Sequence, residues 1–166
     1  ITGVVRDLER PLLRYAFSLM RDSDRAKDAV QETFLELVRC VSTVDRARPA
    51  PWLFAVCRAR SVDRVRKETR MKAHPTAELD ERPSNVAPPD TRVLALEASA
   101  EAARLLGLLP EREQEVVRLK FQEGLSYKEI AEVTGHSVSH IGVMIHNAIQ
   151  RLRKEQRADR VPIQVI

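Results

Sequence analysis

Residues 73–92, "AHPTAELDERPSNVAPPDTR", restrict what this chain can fold into more than any other stretch. Pro75, Pro83, Pro88 and Pro89 fall among Glu78, Asp80, Glu81 and Asp90, and no helical or strand periodicity runs through them. Proline fixes φ and removes a backbone donor, and so polar a segment has little to bury. It reads as an extended, flexible linker, and 20 residues of it reach at most about 66 Å. The 166-residue chain is thereby divided into two small lobes, 1–72 and 93–155, with a tail at 156–166. Aromatics supply only 4 % of residues, so each lobe must build its core from Leu, Val, Ile and Ala, a composition that suits helices.

The first lobe carries helical spacing throughout. Leu8, Leu12, Leu13, Tyr15, Ala16 and Leu19 recur on one face, and the turn and cap residues Met20 to Asp24 interrupt them. A second helix is expected with Ala26, Ala29, Val30, Thr33, Phe34, Leu37 and Val38 inward, and Asp28, Gln31, Glu32 and Glu36 on its other face. Pro49 and Pro51 punctuate the following loop. Trp52 then opens a third amphipathic helix, and Leu53 and Val56 continue its apolar pattern, which favours a core role for the indole.

The second lobe begins with the helical run "VLALEASAEAARLLGLL" from Val93. Pro110 suits the first position of another helix, with Glu111 and Glu113 in its acidic first turn and a stop at Gly124. "SYKE", Ser126 to Glu129, has the form of a capping box. Gly135 suits a left-handed helix end and Ser137 a cap on the helix after it. With Ile141 as reference, Val138, Ile145, Ala148, Ile149 and Leu152 gather within about 100° of arc and form the buried stripe. A short helix, a glycine turn and a longer helix make a helix-turn-helix. The expected fold is therefore all-α: two small helical domains joined by a flexible linker, the second containing a helix-turn-helix.

Charge is concentrated in one place. Residues 58–72 hold seven basic side chains (Arg58, Arg60, Arg64, Arg66, Lys67, Arg70 and Lys72) against Asp63 and Glu68. That stretch is formally +5 in a chain of net charge +4, so the remainder is slightly acidic. Such a patch suits docking to a polyanion, although a solvated helix face would look the same. The second lobe differs: Pro110 to Glu155 has seven basic residues against seven glutamates, and no Lys or Arg lies between Lys128 and Arg151. Cys40 and Cys57 sit in helical apolar settings; a lone disulfide is open to them, but two buried reduced thiols are the better fit. His136, His140 and His146 are not spaced to share one face and have no evident fourth ligand, so no metal and no cofactor are expected. No apolar run approaches the roughly 20 residues of a membrane span and no signal sequence opens the chain, so a cytoplasmic protein without membrane insertion is expected.

Three stretches in order, "DAVQETFLELV" (Asp28 to Val38), "PWLFAVCRARSVDRVRK" (Pro51 to Lys67) and "LPEREQEVVRLKFQEGLSYKEIAEVTGHSV" (Leu109 to Val138), resemble the bacterial extracytoplasmic-function (ECF) sigma factors. These are the minimal two-domain members of the primary-sigma superfamily. The resemblance runs from about Arg6 to Lys154. It implies a non-enzymatic subunit that binds core RNA polymerase and directs it to promoter DNA. By position, Asp28, Gln31 and Glu32 would meet the polymerase clamp helices. Arg58, Arg60, Arg64, Arg66 and Lys67 would hold and open the −10 element, since strand opening needs phosphate-neutralising charge beside an extruded base. Many members carry Asn in this helix where this chain has Ala59. The second lobe would read the −35 element through Ser137, Ser139, His140, Val143, Met144, Asn147, Arg151 and Arg153. The family also implies an inhibitory anti-sigma partner or another recruiting protein.

The uncharged reading helix keeps other classes open. An adapter would use Val143 and Met144 as a protein surface. An independent helix-turn-helix regulator would bind duplex DNA by itself, usually as a dimer, but the neutral second lobe argues against that. An enzyme is disfavoured, because no nucleophile–base set, glycine-rich phosphate loop or metal-ligand cluster is present in the sequence.

Overall fold

Apolar residues recurring every three to four positions, with cap residues at their ends, generate the helices of the computed structural model, which describes residues 2–40, 42–45, 47–72, 100 and 102–158. Among the described residues every regular element is helical. The chain divides into two compact units. The expected linker at 73–92, the start of the helical run at 93–99 and the tail from 159 lie outside the described residues.

The first unit holds α1 (Thr2–Met20), α2 (Ser23–Arg39) and α3 (Pro49–Lys72), and each packs on the other two. Arg21 takes a left-handed φ of 56° and ends α1. The Asp22 carboxylate then accepts the Asp24 and Arg25 amides at 3.0 Å each, capping α2. Leu12, Tyr15, Ala16, Ala26, Ala29, Val30, Leu37, Leu53, Phe54 and Cys57 fill the space between the helices. Tyr15 and Phe54 meet edge-to-face at 5.3 Å. The fully buried Thr33 and Ser61 hydroxyls each donate to the carbonyl one turn back, at 2.7 and 2.8 Å.

Two expectations for this unit fail, each for a geometric reason. Pro49 and Pro51 do not punctuate a loop; they occupy the first turn of α3. The amides missing there have no intrahelical partner to lose, so proline starts this helix instead of preventing it. Val38 is 56 % exposed, not core. At 100° per residue it lies about 140° around α2 from Thr33, beyond the face the other helices cover.

The second unit contains α4 (Glu111–Phe121), most of α5 (Tyr127–Thr134) and α6 (Val138–Ala158), preceded by a helical stretch at 102–107. Leu106, Leu109, Val117 and Ala148 form a buried cluster with Leu152 at its edge. Pro110 takes an extended ψ of 145° and serves as the cap before α4, one residue ahead of the expected role. Gly124 has φ 71°, which lets the Leu125 amide turn back to the Leu119 carbonyl at 3.0 Å. α6 continues to Ala158, past the boundary expected at 155.

Packing makes unequal predictions for two aliphatic side chains. Leu53→Ala should cost about 2–5 kcal/mol, read as a lower urea midpoint of the first unit's helical signal. Val38→Ala on the uncovered face should shift it by less than about 0.5 kcal/mol; equal losses would contradict the arrangement of α2.

Candidate nucleic-acid interface

The basic half of α3 and the acidic face of α2 were expected to be separate sites, and the fold brings them together. On α2, Arg25, Asp28, Glu32 and Glu36 follow helical spacing along one edge. On α3, Arg60, Arg64 and Glu68 do the same, running the opposite way. The two edges meet as a ladder: Arg25 pairs with Glu68, Arg64 reaches Glu32 at 2.6 Å and Asp28 at 3.5 Å, and Arg60 reaches Glu36 at 3.5 Å. The Glu68 carboxylate hydrogen-bonds the Arg25 guanidinium and raises its pKa above the ordinary arginine value. Single-helix periodicity could not reveal this ladder, because it depends on the antiparallel register of α2 against α3. The spacing of Glu36 and Glu68 opposite basic residues was the available signal.

Charge not committed to the ladder lies farther along α3. No described residue beyond Ser61 in this helix is buried, and Arg66, Lys67 and Arg70 are exposed. Arg58 is half-buried on the same helix, as is Trp52 near its start; Ala59 is exposed. Of the polymerase candidates, Gln31 and Asp28 are exposed and Glu32 is half-buried, paired with Arg64. Cys57 lies fully inside while Cys40 is only half-buried, so both are free thiols but only one is a core thiol.

The helix-turn-helix is built as its cap residues foretell. The Ser126 amide donates to Glu129 Oε2 at 2.7 Å, and the Glu129 amide donates to Ser126 Oγ at 3.3 Å. Gly135, at φ 76°, makes the turn. Ser137 Oγ accepts the His140 amide at 3.2 Å and so caps α6. Ser139, His140, Val143, His146, Asn147 and Gln150 are exposed along α6. Met144, expected on that face, is buried at 6 % exposure because it lies only about 60° from the inward Ile141. Val138, expected in the core, is 48 % exposed because the first residue of the helix overhangs its cover. His136 and His140 contact edge-to-face at 5.1 Å, closer than their sequence spacing suggested.

The cations of this helix all lie toward its C-terminal end. Arg151 Nε sits 3.3 Å from Oε2 of Glu113, a mostly buried carboxylate on α4, so its charge serves the fold first. The contact is ionic and lacks hydrogen-bond alignment. Arg153, Lys154 and Arg157 line a shallow open depression with Gln150. Among the described residues no helix is long and apolar enough to cross a membrane.

Residues 4–71 match Sigma-70 region 2 and residues 99–158 match Sigma-70 region 4. The ECF RNA polymerase sigma factor ShbA of Streptomyces griseus is 30 % identical over 132 residues, covering 76 % of this chain and 69 % of ShbA. The chain belongs to the ECF sigma factors. SigD of Mycobacterium tuberculosis, another ECF RNA polymerase sigma factor, is 30 % identical over 78 % of this sigma factor, which spans 62 % of the length of SigD. The sigma factor RpoE of Bartonella quintana, solved in complex with the anti-sigma factor NepR, shares the fold at 21 % identity. Its TM-score is 0.66, with 96 % of this chain and 100 % of that one covered.

The two kinds of arginine should separate in experiment. If the exposed cations of α3 serve a nucleic acid, replacing Arg66 and Lys67 together by alanine should flatten the salt dependence of its binding by roughly one to two units of log–log slope. Arg64→Ala should leave the slope nearly unchanged and act on helix packing; the reverse pattern would contradict the ladder. Burial pushes the Cys57 thiol up to about 11, with hydrogen bonds to Thr33 and Ser61 only partly opposing it. At pH 8 about one Cys57 in a thousand is then a thiolate. A thiol reagent should label Cys40 first and Cys57 only after unfolding, and equal native-state rates would contradict the packing.

Proposed function

We propose that this chain is a promoter-directing subunit of RNA polymerase. In this reading residues 1–72 bind core polymerase and the −10 element, 73–92 link the lobes, 93–155 read the −35 element, and 156–166 form a tail. Asp28, Gln31 and Glu32 lie on the polymerase side. Arg58, Arg66 and Lys67 neutralise phosphates of the −10 element, while Arg60 and Arg64 stay paired with α2 and position the helix. Ser139, His140, Val143 and Asn147 face the −35 bases; Ser137 holds the helix start, and Arg153 flanks the DNA backbone beyond Arg151. The subunit acts by binding, needs no cofactor, and works in the cytoplasm where its DNA is.

The observation that carries this reading is the order of parts: a three-helix unit with a projecting basic helix, followed by a helix-turn-helix whose own field is neutral. A neutral lobe gains little non-specific affinity for DNA. Polymerase supplies what it lacks, because tethering makes the second contact intramolecular.

A second reading is favoured by that same uncharged face, namely an adapter that binds polymerase without opening DNA. In vitro transcription with purified core polymerase separates the two. The promoter-subunit reading expects start sites that appear only when this protein is added. Binding to core without any new start site supports the adapter, and failure to bind core removes both.

A further inference from the structure

The exposed face of α6 is unusual in what it offers to bases. Measured around the helix from Val143, the exposed residues Ser139, His140, His146, Asn147 and Gln150 all fall within about 60° on either side. Val143, 55 % exposed, is therefore the centre of the face, and Met144 beside it turns inward. Ile141, Met144 and Ile145 are buried and hold the helix from behind, while the Ser137 cap and Gly135 turn hold its start. Valine is β-branched and stiff at χ1, so its two methyl groups are held in one place.

In the major groove only thymine presents a methyl group, and guanine O6 and N7 are most often read by Arg or Lys. This face has no Lys or Arg between Lys128 and Arg151. It has an apolar centre instead, with an amide about 6 Å farther along the axis at Asn147. Asn bonds adenine N6 and N7 in a bidentate manner. The cationic end at Lys154 and Arg157 is about 16 Å or more from Val143 along the helix, which suits the phosphates at the groove edge and not the bases.

We propose that Val143 reads the methyl group of one thymine, with Asn147 on a neighbouring adenine, so that this helix selects an A·T step within the upstream promoter element. This rests on the promoter-subunit reading above and makes Val143 its specificity-determining residue. The contact is apolar, so it adds discrimination without adding salt dependence.

The test uses the full-length protein with core polymerase on a promoter mapped by transcription. Each thymine of the upstream element is replaced in turn by deoxyuridine, which removes the methyl group and nothing else. Initiation should fall about three- to ten-fold at one position and stay level at the others. Val143→Ala should give that same loss on the unmodified promoter, and deoxyuridine at that position should then cost nothing more. The deoxyuridine series leaves the protein intact, so it stands even if Val143→Ala fails to fold. Initiation that needs the upstream element but tolerates deoxyuridine at every position overturns this proposal and leaves the promoter-subunit reading in place. A uniform loss with Val143→Ala and no deoxyuridine effect marks Val143 as a protein contact and also overturns it. Absence of initiation from every promoter overturns both.

Discussion

Arg64 stands between two carboxylates of the neighbouring helix, 2.6 Å from Glu32 and 3.5 Å from Asp28, and the use of charge in the first unit follows from that contact. With Arg25–Glu68 on one side and Arg60–Glu36 on the other, it sets α3 antiparallel to α2 in a single register. Partly exposed pairs of this sort contribute little stability each, about 0–1 kcal/mol. Their larger effect is on availability. Two of the basic residues in the 58–72 patch are held against α2, and the charge presented outward shifts toward Arg66, Lys67 and Arg70. The proposed polymerase face and the proposed DNA face thus share side chains, and whatever takes up Asp28 or Glu32 alters the surroundings of Arg64.

The second unit solves a different problem. Its cap, turn and buried stripe fix α6 in place, yet Glu113 occupies Arg151 and the first three turns of α6 carry no Lys or Arg. Apolar and amide groups therefore come first along this helix and cations last. In the proposed function, long-range attraction would fall to the first unit and to polymerase, and base discrimination to the second.

Much of this was legible in the sequence, and the failures share a cause. The Asp22 region break, the Ser126–Glu129 capping box and the Ser137 cap depend on neighbours within four residues, which periodicity captures, and the two-lobe division follows from the proline-rich, polar composition of residues 73–92. Val38 and Val138 were misplaced because exposure depends on where covering helices stop. Met144 has a DNA-facing position by the family motif, but its angle of about 60° to Ile141 turns it into the core. The ladder was invisible because it joins residues 24 to 43 positions apart. Pro49 and Pro51 were read as breakers because a proline at a helix start and one in a loop look alike without coordinates.

The proposed function turns on whether polymerase places the second lobe on DNA. Footprinting a mapped promoter with the free protein and with reconstituted holoenzyme, at matched concentrations and near-physiological salt, measures this directly. The account predicts protection of the upstream element by the holoenzyme and none by the free protein. Equal protection of that element by the free protein would contradict it.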